Sequence, residues 1–506
     1  MSLWKSLVAG AALVGLLAVA LLVPPGAAAA GPKRSTSSAL EERVRLLEEE
    51  VRRLRAERAV APPATRAPSA VAPSAVAPSV VAPAAAAPAA ADEETAPVDK
   101  PTVEALIDDK LRKQKVLAGW QDGFFLQSPS GDFKLKLRGY AQADARFFPW
   151  DSGDTGNDSF FLRRVRPIVE GTVYKYFDFR IMPDFGGGQT TLQDGYLDVR
   201  YFPLASLRAG KFKEPLSLER LQSGSELLFI ERSISQNLAP NRDVGFELFG
   251  EAAGGALEYQ LGLFNGVFDG GSSDGDGFGS GKDFVGRVFA RPFKSTDLAP
   301  LKGLGIGIAG SYGDQGQDDL KGLRFQTAGR STFFRYVDTT NPVAKGTHWR
   351  LSPQLYHYWG PFGLMGEYIA SQSSTGGTVE ETATEAEANN WGWFLQASWV
   401  LTGEDASYKG VVPIDAFDPR QGRWGAFELA ARVSNIDIDN DALDAGLARG
   451  SDEAWAYTAG VNWYLNRAVK IQFNWEHTDF AGGPSFSGEG RRDHEDVLLT
   501  RFQLAY

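Results

Sequence analysis

The chain has 506 residues, no cysteine and a formal net charge of −11, with a mean hydropathy of −0.23. No cysteine means no disulfide, thiolate metal site or cysteine nucleophile, and the acidic balance argues against nucleic acid, whose phosphates want a basic surface. Negative hydropathy excludes a bundle of apolar helices, whereas 56 glycines and 12 % aromatics suit strands with one face to lipid and one to water, or a soluble β-sandwich.

In chain order, Lys5 precedes an apolar run from Leu7 to Val23, and Ala28-Ala29-Ala30 offers the small residues of a cleavage site. Residues 1–30 therefore read as a secretory signal peptide. The run is a little long, and an uncleaved anchor helix is the other reading; the Pro24-Pro25-Gly26 break favours cleavage. No later stretch is apolar enough to span a bilayer as a helix, so an exported chain would have to insert with strands. Over 31–59, Leu40, Val44, Leu47, Val51 and Leu54 advance in steps of 4, 3, 4 and 3, a coiled-coil seam flanked by Glu and Arg. So short a seam needs partner chains; a lone amphipathic helix lying on another surface is the alternative. Residues 60–99 are Pro/Ala-rich, with units such as Ala67-Pro68-Ser69-Ala70-Val71, and cannot bury a core; they predict an extended spacer. Val103, Leu106, Ile107 and Leu111 predict a short helix over 100–119.

From 120 to 506, with strands beginning near Phe124, period-two alternation dominates. Phe133, Leu135, Leu137, Gly139, Ala141, Ala143, Ala145 and Phe147 share one phase, and Lys134, Lys136, Arg138, Tyr140, Gln142, Asp144 and Arg146 the other. A single phase of that length exceeds an ordinary soluble strand and fits a tilted membrane strand. The pattern recurs at Trp391–Trp399, Phe427–Ser434 and Val469–Glu476. Charges on the inner face predict a wet interior rather than a packed core. Tight turns at Tyr174-Lys175-Tyr176, Phe202-Pro203-Leu204, Trp359-Gly360-Pro361 and Leu465-Asn466-Arg467 alternate with expected long polar loops at 269–282, 373–390, 437–452 and 482–496. The fold class expected is all-β: a transmembrane antiparallel barrel of about 16 strands, the size that leaves an aqueous lumen.

The stretches Phe161-Leu162-Arg163-Arg164, Glu170-Gly171-Thr172-Val173-Tyr174-Lys175, Gly210-Lys211-Phe212, Leu218-Glu219-Arg220, Glu231-Arg232-Ser233 and Asn241-Arg242-Asp243-Val244-Gly245 occur in that order. Leu401-Thr402-Gly403-Glu404, Trp424-Gly425-Ala426-Phe427-Glu428-Leu429 and Gly460-Val461-Asn462-Trp463-Tyr464 follow. With these motifs the region from Phe124 to Tyr506 resembles the phosphate-selective porin O and P family. The resemblance implies an outer-membrane homotrimer in a Gram-negative-type bacterium, with outer-membrane lipid around it and small anionic solutes passing through. It also implies an inward-folded constriction loop, here Lys213 to Asp243. Where selective members carry a lysine in that loop, this chain reads Ser223-Gly224-Ser225-Glu226, so fold and channel transfer better than phosphate preference.

Arg164 and Arg166 fall in the lumen phase with Glu170 and Thr172, where guanidinium groups would attract and orient oxyanions. Their bland alternative is pairing with lumen carboxylates as wall supports. Arg163 is out of phase and predicts a rim position or a bulge. Lys134, Lys136 and Arg138 form a second basic row, and Arg208, Lys211 and Lys213 lead into the loop, whose candidates are Arg220, Ser225, Glu226, Glu231, Arg232, Arg242 and Asp243. Asp437-Ile438-Asp439-Asn440-Asp441 spaces carboxylates as a calcium loop does, but Ala442 stands at the sharp-turn glycine, which favours a solvated acidic loop. Four scattered histidines and the lack of a Gly-x-Ser-x-Gly elbow or Walker loop give no catalytic, metal or cofactor site to name. The expectation is a passive pore for small anions, phosphate or polyphosphate among them. Its rival is a structural tether in which the coiled coil and spacer reach peptidoglycan and conduction is incidental.

Overall fold

The computed structural model describes residues 116–149, 156–273, 281–481 and 493–506. The expected signal peptide, coiled-coil seam, spacer and most of the 100–119 helix lie outside the described residues. The end of that helix does not form. From Leu117 the chain is strand, and β1 (Leu117–Trp120) makes a hairpin with β2 (Phe124–Gln127). Trp120 and Phe124 meet edge to face at 4.6 Å, a contact of facing residues across the pleat.

Sixteen longer strands then close a barrel. The first nine are β3 (Lys134–Phe147), β4 (Ser159–Val173), β5 (Phe177–Asp184), β6 (Thr191–Phe202), β7 (Ala205–Lys213), β8 (Arg242–Ala252), β9 (Leu257–Phe264), β10 (Asp283–Ala290) and β11 (Leu304–Asp319). Two small strands, β12 (Arg324–Gln326) and β13 (Thr332–Tyr336), leave the wall before β14 (Val343–Trp359), β15 (Phe362–Val379), β16 (Thr382–Val400) and β17 (Ala426–Asp437) resume it. After the small β18 (Ala448–Gly450) come β19 (Glu453–Tyr464), β20 (Val469–Ala481) and β21 (His494–Ala505). Every wall strand pairs antiparallel with the next, and β21 returns to β3, with Ala505 opposite Tyr140 and Leu498 opposite Phe147. Gly139 and Tyr506 exchange both backbone hydrogen bonds, at 2.8 and 2.9 Å, which completes the seam. Closure satisfies every ladder, as hydrocarbon demands.

The expected phase holds. On β3, Leu135 and Leu137 are exposed on the outer surface while Gln142 and Asp144 are buried inside. At the β4–β5 turn Tyr174 and Lys175 both take positive φ, 50° and 66°, the twist a tight hairpin needs. One connection differs from expectation. Residues 373–390 are not a loop: β15 and β16 run on through them and join at Glu380-Glu381, with φ of 47° and 68°. The alternating Thr and Glu there are polar because the hairpin stands outside the lipid, not because the backbone is irregular.

The interior is far from empty. Between β7 and β8 the chain turns inward and carries a one-turn helix, α1 (Leu218–Leu221), capped by Ser217. Wall side chains hold this segment all round. Gln142 donates to the Gly224 carbonyl at 2.8 Å, Asn462 to the Leu228 carbonyl at 2.9 Å, and Asn474 accepts from the Ile230 amide at 2.8 Å. The Glu367 carboxylate accepts from the Ser217 hydroxyl and the Leu218 and Glu219 amides at 2.9, 3.1 and 3.2 Å. A second body fills the mouth on the β14–β17 side. There Phe325, Phe333, Phe334 and Tyr336 of the β12–β13 hairpin pack with Ile234 and Leu238 of the inward segment and with Ile369 and Ile436 of the wall.

Candidate functional site

The other side of the lumen holds a polar cavity of about 330 Å³. Seven guanidiniums line it: Arg163, Arg164 and Arg166 from β4, Arg220, Arg232 and Arg242 from the inward segment and its exit, and Arg330 from the β12–β13 turn. Among the described residues, only two carboxylates, Asp184 and Glu231, line it with them. Gln189, Thr191, Gln193 and Asn241 complete the wall.

The β4 contribution rests on a backbone irregularity. The β3–β4 register passes from Gln142↔Arg164 to Ala143↔Leu162, which leaves Arg163 as the extra residue of a bulge. Arg163 and Arg164 can then both reach the interior, which regular alternation forbids. Gly186 accommodates the bulge, because a Cβ there would lie 2.7 Å from the Arg163 carbonyl oxygen. The bulge expected from the phase break at Arg163 is therefore present.

The seven guanidiniums are not equivalent. Arg166 donates to Asp184 at 2.7 Å and to the Tyr140 hydroxyl at 2.8 Å. Arg242 donates to Asp194 at 2.8 Å. Arg163 forks onto Glu231 at 2.5 and 3.1 Å, and Arg164 lies 3.6 Å from the same carboxylate while donating to Gln142 at 2.8 Å. Burial opposes ionisation of Glu231, but Arg163, Arg164 and Arg501 outweigh it and hold this loop carboxyl well below the usual range. By contrast, among the described residues Arg232 donates only to the carbonyls of Glu219, Arg220 and Gln222. Arg220 donates to the carbonyls of Gln236 and Ala239. No ion pair to Arg330 occurs among the described residues, and its side chain is exposed to the cavity.

The remaining sequence candidates lie elsewhere. Lys136 and Arg138 face the lumen but share Glu170, at 3.7 and 3.0 Å, and Lys134 sits 5.2 Å over the Phe125 ring. Arg208 forks onto Asp198 at 2.7 and 2.9 Å and stacks on Tyr196. Lys211 is buried, and Lys213 donates to the Leu221 and Gln222 carbonyls at 3.2 and 3.0 Å. None of these three borders the cavity: Arg208 is held by a wall carboxylate and Lys213 by loop carbonyls. Asp243 takes the Val244 and Gly266 amides at 2.7 Å each and shapes the loop exit. Ser225 and Glu226 also stand apart from the cavity, although Lys470 of β20 reaches the Ser225 and Leu227 carbonyls at 3.4 and 3.0 Å. A wall lysine thus meets the inward segment where its own sequence lacks one. Arg330 was missed because the 324–336 stretch carries no periodicity that places it in the lumen.

The profile of the phosphate-selective porin O and P family matches residues 133–506. Porin O of Pseudomonas aeruginosa is 27 % identical over 420 residues, covering 76 % of this chain and 91 % of that protein. Among solved structures, the outer membrane channel DcaP of Acinetobacter baumannii aligns with a TM-score of 0.47 at 8 % identity, over 77 % of this chain and 100 % of that one. The anion-selective porin from Comamonas acidovorans aligns at 0.44 and 11 %, over 74 % and 100 %.

Proposed function

The chain belongs to the phosphate-selective porin O and P family, and on that premise we propose that this outer-membrane channel passes small oxyanions, phosphate among them, through the arginine-lined cavity. One observation carries the reading: among the described residues, Arg220, Arg232 and Arg330 face a cavity bordered by only two carboxylates, and none of the three has an ion-pair partner there. In a confined, low-dielectric lumen such charges enrich anions, and planar guanidinium forks match oxyanion geometry. The net charge of −11 points the other way. Carboxylates on the outer loops are screened beyond roughly 8–10 Å at physiological salt, so charges at the narrow point dominate. The working unit proposed is a homotrimer, checked by sedimentation in detergent, where three chains are expected and a monomer at all concentrations refutes it. Reversal potentials of single channels under a potassium chloride gradient test the anion reading. Anion preference with block by inorganic phosphate is expected; cation preference overturns it.

A further inference from the structure

We propose that Glu231 is a built-in counterion that competes with the permeating anion for Arg163 and Arg164, making it a specificity-determining residue of the filter. The inference rests on the anion reading above and deepens it. The two carboxylates of the cavity are held in different ways. Asp184 accepts from the Val165 and Gly186 amides at 3.0 Å each besides Arg166, so it belongs to the backbone of the wall. Among the described residues, the Glu231 carboxylate takes no backbone amide and no hydroxyl. Its partners are the Arg163 fork at 2.5 and 3.1 Å, Arg164 at 3.6 Å and Arg501 at 3.7 Å. Arg501 is already engaged by Asp144, to which its Nε and Nη2 donate at 2.8 and 2.7 Å.

Two oxygens seated in a guanidinium fork occupy the geometry a phosphate or carboxylate solute would use. The bulge that turns Arg163 inward creates that seat, and the inward segment supplies its occupant, next to Arg232. An anion entering the cavity must displace Glu231 or settle for Arg220, Arg232 and Arg330. Such a device keeps the filter from holding its solute too tightly, because conduction needs binding weak enough to release.

The test uses full-length purified channels in planar bilayers, with inorganic phosphate as probe, comparing wild type, Glu231→Gln and Glu231→Asp. Glu231→Gln keeps the shape and removes the charge. It should lower the phosphate concentration that half-blocks chloride current by about tenfold and shift the reversal potential toward anions. Glu231→Asp keeps the charge but withdraws it by one methylene, so its half-block should fall between the other two; it carries the test if the glutamine variant does not fold. Unchanged or weaker phosphate block in these variants overturns the inference. So does a general rise in conductance with reduced selectivity, the signature of a strut that only held the loop. A wild-type channel without anion preference overturns the anion reading and this inference with it. An anion-selective wild type with unresponsive variants overturns the counterion alone.

Discussion

Two regions share the interior of this barrel and are built on opposite principles. On the β14–β17 side, apolar side chains from the inward segment, the β12–β13 hairpin and the wall close on one another as a dry core. On the β4 side, guanidiniums crowd a wet cavity with few carboxylates to neutralise them. The β12–β13 hairpin belongs to both. Its flanks put Phe333 and Phe334 in the core, each 1 % exposed, while its turn carries Arg330, at φ 60°, to the cavity. Wall groups hold the tip: Thr327 donates to Glu495 at 2.6 Å, the Ala328 amide to Glu476 at 3.3 Å, and Arg146 to the Gly329 carbonyl at 2.7 Å. The apolar half is therefore scaffold for the charged half. Like-charged groups cannot crowd together unless something else holds their backbones in place.

That division of labour can be broken from either side. The largest effect is expected from Phe333→Ala with Phe334→Ala. Each truncation should cost about 3–5 kcal/mol in the packed half, lower the denaturant midpoint of the purified channel, and raise single-channel conductance while selectivity falls. Unaltered conductance would mean the apolar half does not bound the path. Next in size, Arg164→Ala with Arg166→Ala leaves Asp184 and Glu231 short of cations. The anion-to-cation permeability ratio should drop by about tenfold, and an unmoved reversal potential would make both arginines wall supports. The smallest change, Arg330→Gln, removes a charge with no ion-pair partner among the described residues. Selectivity should fall by about two- to threefold with stability unchanged within ~0.5 kcal/mol; a lower melting temperature would show that Arg330 holds its hairpin instead.

The wall was legible in the sequence because lipid and water impose a strict alternation on each strand. Phe133 to Phe147 shows it, and Arg163 betrayed its bulge by breaking phase. The interior was harder to read. Polarity could not separate an irregular loop from the solvent-exposed hairpin around Glu380, since both favour Thr and Glu. Chain order put Arg208 and Lys213 at the approach to the inward loop, but only the fold revealed that Asp198 and two carbonyls hold them. The inward segment came from family resemblance, and Arg330 had no local signal, because its position is set by Phe333 and Phe334 finding a core distant in the chain.

The pairing of β21 with β3 has a kinetic consequence. Gln142 donates to Gln503, and Arg501 to Asp144, contacts separated by 361 and 357 residues along the chain. Bringing such distant residues together carries a chain-entropy cost of roughly 5 kcal/mol beyond a constant, and contacts of high sequence separation form slowly. The inward segment draws donors from both sides of that seam, Gln142 on β3 and Gln503 on β21, the latter to the Ser225 carbonyl at 2.9 Å. Its anchorage therefore cannot be complete before the ring is shut, which makes maturation of the filter the last act of assembly.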